Sequence, residues 1–148
     1  MNFELENQLN QLLGAEPVQN HPDGLWMDAP ELNVLALAEL MKNIEGRLTT
    51  ISAISIENGE TEIIYHFAIG GQAINIKTRT KANAIPSISN VFEAANWAER
   101  ENYDLFGVNF TGHPNLKRLI RPPQLAEGFF RQPGGAEGKA LRGAKNAI

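Results

Sequence analysis

The sequence predicts an α+β domain, with an antiparallel sheet of three or more strands and helices packed on one face. Three observations predict it. Apolar residues recur with a helical period up to Gly46, the period changes to 2 between Leu48 and Arg79, and a helical pattern returns after Ser87. Two turn signals, Asn58-Gly59 and Gly70-Gly71, divide the period-2 stretch.

The first element is a short amphipathic helix over residues 2–13, with Leu5, Leu9 and Leu12 on one side and Gly14 behind it. Little periodicity follows from Glu16 to Ala29, and His21-Pro22-Asp23-Gly24 reads as a turn. Asp28 with Glu31 suits the start of a second helix, and Pro30 suits its first turn. Its apolar face is Leu32, Leu35, Ala36, Leu40 and Ile44, and Gly46 ends it. In the central run Ile63, Tyr65, Phe67 and Ile69 share one face against Glu62, Ile64, His66 and Ala68. Three antiparallel strands joined by two tight turns make a meander, half buried against helix. Asn90 with Glu93 then makes a capping pair for a helix running to about Leu105, with Gly107 as its stop.

The chain has 148 residues, enough for one domain with a real core; its 43% apolar and 20% charged content is that of an ordinary globular protein. We place the domain at residues 1–130. Residues 131–148 carry Arg131, Lys139, Arg142 and Lys145 against Glu137 alone, a Gly-rich basic tail expected to be flexible and suited to docking. The net charge of −4 argues against nucleic acid, which demands clustered Lys and Arg. No apolar run is long enough to span a bilayer, and the acidic N-terminus lacks the pattern of a signal peptide. With no cysteine there is no thiolate nucleophile and no ordinary iron–sulfur ligation. His21, His66 and His113 show no metal spacing, and no P-loop, GxGxxG or GxSxG pattern occurs. A self-contained enzyme therefore lacks any motif.

The informative stretch runs from Ile85 to Ile120: IPSIS, then ANWAERENYDLFGV, then FTGHPNLKRLI. Here the chain resembles the 30-kDa subunit family of respiratory complex I, at Pro86, Ser87, Trp97, Glu99, Arg100, Glu101, Tyr103, Asp104, Phe106 and Gly107. The likeness continues at Phe110, Gly112, His113, Pro114, Leu116, Lys117 and Arg118, and extends loosely over residues 28–130. The resemblance implies a structural subunit that braces the peripheral arm of a membrane-anchored oxidoreductase. It implies no cofactor on this chain, with iron–sulfur clusters and a quinone or nickel–iron site in partner subunits. The partners implied are a large, 49-kDa-like catalytic subunit and iron–sulfur subunits. The location implied is cytoplasmic, on the inner face of the membrane through the complex.

The residues expected at the partner interface are Trp97, Glu99, Arg100, Glu101, Tyr103, Asp104, His113, Lys117 and Arg118. Taken without the family, Trp97 reads as an anchor into the core, Arg100 as a partner of Asp104, and Glu99 and Glu101 as ionised surface carboxylates. His113 lies in a Gly-His-Pro turn; as a proton-transfer group it would need a carboxylate, and none stands at a recognisable spacing. Residues 121–135 lack the Leu-Arg-Lys-Asp core of the quinone-reducing members, and the chain is short for a 30-kDa subunit. Both departures suggest the equivalent subunit of an energy-converting nickel–iron hydrogenase as the alternative. A free-standing interaction module is the reading from another class.

Overall fold

Alternating side chains build the centre of the molecule. The computed structural model describes residues 3–13, 19–119, 122, 124, 125 and 128–130; the basic tail expected over 131–148 lies outside them. Strand β4 (Thr61–Ile69) sends Ile63, Tyr65 and Phe67 into the core, all 1% exposed or less. It pairs antiparallel with β5 (Gln72–Arg79), from Glu62 opposite Arg79 to Ile69 opposite Gln72, and Gly70-Gly71 makes the tight turn that the sequence predicts. On its other side β4 pairs antiparallel with β3 (Arg47–Ser55).

The link between β3 and β4 is looser than a two-residue turn. Residues 57–59 form one turn of 3-10 helix with Asn58 at φ 65°, closed by the Ile56 N–H to the Glu60 carbonyl. Glu60 leaves the ladder because its carboxylate serves elsewhere. It accepts from the Thr80 hydroxyl at 2.5 Å and from the N–H groups of Ala82 and Asn83 at 3.0 and 3.1 Å.

The sheet is larger than the meander and mixed. The segment expected to be irregular contains β1 (Gln19–His21) and β2 (Gly24–Asp28), an antiparallel hairpin turned at residues 22–23. β2 lies parallel to β5, from Leu25 opposite Ile74 to Asp28 opposite Lys77, giving the order β1-β2-β5-β4-β3. Gly24 permits the join: its φ is 132°, and a Cβ there would come within 2.6 Å of the Ala73 carbonyl.

Asp28 is thus the end of a strand and caps nothing. Helix α2 (Val34–Asn43) starts later, with the Asn33 side chain accepting from the Ala36 N–H at 3.1 Å. Its buried face is Val34, Leu37, Ala38 and Met41, while Leu35 is exposed and Leu32, Leu40 and Ile44 pack at the margin. Two apolar stripes lie side by side on this helix, and the sheet takes the neighbour of the one the sequence favours.

Helix α3 (Ala95–Phe106) also begins after its expected start, with no side-chain cap; Asn90 and Glu93 lie in the turns before it. It ends as expected at Gly107, φ 68°, whose N–H returns to the Tyr103 carbonyl. The Asn83 side chain donates to the carbonyls of Phe106 and Gly107, tying that end to the turn after β5. Two short strands flank α3 in sequence, β6 (Ala84–Pro86) and β7 (Asn109–Thr111), and they pair in parallel. Helix α1 (Phe3–Leu13) adds Leu9, and all three helices share one cluster with Leu25, Met27, Ile74, Ile76 and Phe110. Each such fully buried side chain contributes about 1.5–3 kcal/mol.

Candidate functional site

Pairing of β6 with β7 brings the two ends of the Ile85–Ile120 segment together, and α3 spans them. The Ser87 N–H donates to the Thr111 carbonyl at 2.9 Å, so the Pro-Ser start and the Gly-His-Pro loop adjoin. One helix side faces inward with Ala95, Ala98, Glu99 and Asn102. Nothing in the sequence pattern singles out Asn102. Its amide donates to the carbonyls of Ile51 and Ala98, both at 2.9 Å, and pins α3 to the outer edge of β3.

The expected interface residues divide into two groups. Trp97 is 66% exposed and anchors nothing in the core. It borders a shallow hollow of about 350 Å³ with Thr49 and Thr50 of β3, Ala94, Ala98, Glu101 and Leu119. Glu101, Lys117 and Arg118 are exposed as well. Arg100 is half-buried; rather than pairing with Asp104 as expected, its guanidinium donates to the carbonyls of Lys117 and Arg118 at 3.4 and 3.3 Å. That fork holds the loop after β7 against the helix.

Asp104, Tyr103 and Glu99 belong to the interior group. Asp104 is fully buried and its carboxylate accepts the Leu119 N–H at 3.0 Å. Tyr103 is half-buried against the core. Glu99, expected as an ionised surface group, is also fully buried. It accepts the Ser87 hydroxyl at 2.6 Å and the Ile88 N–H at 2.7 Å. Both carboxylates turn inward because loop donors wait for them there.

The carboxylate that the sequence does not offer to His113 is this one. The buried His113 ring has its Nε2 3.9 Å from Glu99. Its Nδ1 accepts the Asn115 N–H at 2.9 Å, and its Nε2 lies 3.2 Å from the Asn96 carbonyl. His66 likewise has a defined role, on the opposite side of the sheet. It bridges the Ser52 hydroxyl at 2.9 Å and Asn75 Oδ1 at 2.7 Å, edge-on to Trp26. A roomier hollow of about 590 Å³ lies on that side, lined by Trp26, Asp28, Ile54, Glu62 and Lys77, away from the signature. Its Glu62 is engaged by Lys77 and Arg79 at 3.6 and 3.9 Å. Among the described residues no group of three or more His, Asp or Glu is placed to hold a metal ion.

The model of the family described as respiratory-chain NADH dehydrogenase, 30 Kd subunit, matches residues 27–134. The chain belongs to this family. The C subunit of NADH-quinone oxidoreductase from Mesorhizobium japonicum is 44% identical over 62 residues, 40% of this chain and 31% of that protein. The mitochondrial 30.4-kDa subunit of NADH-ubiquinone oxidoreductase from Neurospora crassa is 32% identical over 123 residues, 74% of this chain and 44% of that one. The C/D subunit of NADH-quinone oxidoreductase from Methylococcus capsulatus is 65% identical over 40 residues, 27% of this chain and 7% of the other. The chain thus spans less than half the length of these relatives. The trypsin-resistant fragment of Nqo5 shares the fold, with a TM-score of 0.63 at 22% identity over 78% of this chain and all of that one.

Proposed function

We propose that this 30-kDa-family chain is a non-catalytic structural subunit of the peripheral arm of complex I, docking on the large, 49-kDa-like subunit and bracing its iron–sulfur neighbours. The observation that carries the reading is the exposed Trp97, set on the family's signature helix in a hollow shared with Glu101 and with Leu119 of the loop that Arg100 tethers. An exposed aromatic side chain on a helix that also presents Glu101 is what a wet but anchored interface uses. The C/D relative, whose name joins two subunits in one polypeptide, supports a partner of the D type. These relatives are NADH-quinone or NADH-ubiquinone oxidoreductase subunits, which favours the quinone-reducing assignment over the hydrogenase one. No helix of the described residues is long and apolar enough to cross a membrane, so membrane contact through the complex fits the chain.

The test is charge reversal on the exposed loop. Lys117→Glu combined with Arg118→Glu keeps both backbone carbonyls that Arg100 holds, so the melting curve of the chain should stay within about 1 kcal/mol of the parent. Co-purification with the large subunit should weaken about tenfold or more. Retention at parental affinity would put the docking surface elsewhere.

A further inference from the structure

We infer that Glu99 is a proton-exchange site, filled and emptied from solvent through the hydroxyls of Ser87 and Ser89, whose occupancy sets the direction in which those hydroxyls point. The carboxyl is completely buried, yet it is connected to the surface. Its Oε2 lies 2.6 Å from the Ser87 hydroxyl, and that hydroxyl lies 2.8 Å from the hydroxyl of Ser89. Ser87 is buried and Ser89 is partly exposed, so three oxygen-bearing groups run from core to solvent.

A serine hydroxyl donates and accepts at once, which lets such a chain reverse. With Glu99 ionised, Ser89 donates to Ser87 and Ser87 donates to Oε2. With Glu99 neutral, its own O–H donates to Ser87 and Ser87 donates to Ser89. Uptake moves one solvent proton onto Ser89, the Ser89 proton to Ser87, and the Ser87 proton to Oε2. Both serines end neutral and the carboxylate has gained one proton. The Ser89 N–H holds the Ser87 oxygen at 3.2 Å, and the Ile88 N–H holds Oε1 at 2.7 Å, fixing the frame in both states.

Among the described residues, two titratable groups face the carboxyl from neighbouring elements. Tyr65 comes from β4, fully buried, its hydroxyl without a hydrogen-bond partner among the described residues. His113 comes from the loop after β7, and it is the one basic group within 4 Å among the described residues. Its Nδ1 accepts the Asn115 N–H at 2.9 Å. From the segment after β6 come only the hydroxyls and the Ile88 N–H, and α3 itself adds the Asn96 carbonyl. Among the described residues the negative form therefore rests on two hydrogen bonds against complete burial. Burial pushes the Glu99 carboxyl up to about 7, with the Ser87 and Ile88 bonds pulling the other way. Burial, and then the charge of Glu99, push the Tyr65 hydroxyl well above its usual range.

The sign of the linkage follows. Between about 4.5, where an ordinary glutamate titrates, and about 7, the folded chain holds a proton that the unfolded chain has lost. The Glu99 contribution to stability is fully present below that window, falls as pH rises through it, and is level above.

The experiment is a carbon NMR titration of the full chain, following the Glu99 carboxyl resonance assigned through bonds. Its midpoint is expected within about one unit of 7, with the Ile88 amide following the same curve. Ser87→Ala deletes a hydrogen bond to the charged form and should raise the midpoint by about one pH unit. Ser89→Ala leaves the carboxyl's own partners intact and should keep the midpoint while slowing exchange. A midpoint below about 6, or one that ignores Ser87→Ala, overturns the site; exchange in Ser89→Ala as fast as in the parent overturns the route. None of these readings involves the large subunit, so they fail or succeed apart from the docking role.

Discussion

On the proposed docking role, Trp97→Ala is expected to leave the melting curve of the chain in place and to weaken its hold on the large subunit by about 2 kcal/mol or more. The ring is 66% exposed, so its removal opens no cavity, and an exposed substitution of this kind ordinarily changes stability by no more than about 0.5 kcal/mol. On the proposed docking role, its worth lies in what it meets. An indole desolvated at the centre of a docking surface is among the costliest side chains to truncate, and 2 kcal/mol is roughly a thirtyfold change in affinity. Thermal melting and quantitative co-purification give the two readings. A large drop in melting temperature would mean that the ring is inside. Unchanged melting with unchanged affinity would remove Trp97 from the interface.

Phe110→Ala should behave in the opposite way. Phe110 lies in the same signature segment but is 1% exposed, on β7 opposite Ile85 and within the apolar cluster of the core. Truncation removes a full ring from a packed site that can collapse only partly, a loss of about 3–5 kcal/mol. For a chain of this size that is a fall in melting temperature on the order of 10 °C. Urea unfolding of the isolated variant measures it. A midpoint equal to the parent's would show that the ring does not fill the core.

The contrast between these two aromatics also explains what was legible in the sequence. Period-2 alternation marked the inward set Ile63, Tyr65 and Phe67, because one buried sheet face imposes it. Gly107 announced the end of α3, because few other residues tolerate its positive φ. Strand β2 was not legible: its partner β5 lies far along the chain, and parallel pairing leaves no turn signal between them. That omission carried Asp28 with it into a false helix cap.

On α3 the pattern misled differently. Trp97 and Glu99 are two residues apart, and hydrophobicity alone assigns the ring inward and the acid outward. The structure reverses both, because the donors that satisfy Glu99 belong to Ser87 and Ile88 and are invisible until the loop folds against the helix. The split of the nine expected interface residues into exposed and interior groups follows from the same cause.

The parallel seam between β2 and β5 also orders the assembly of the chain in time. β3, β4 and β5 are sequence neighbours and can zip together through short loops. Leu25 meets Ile74 only after α2, β3 and β4 have been looped out, and closing a loop of that length costs about 3 kcal/mol of chain entropy before any contact returns it. The meander should therefore be in place when the chain passes its barrier, with the β1–β2 hairpin still unattached. In mutational kinetics, Ile63→Val and Ile76→Val should slow folding, whereas Leu25→Ala should chiefly speed unfolding. Equal slowing by all three would mean that the distant strand joins at the barrier itself. On the expected order, the edge bearing Gln19–His21 is the last to close and the first to open.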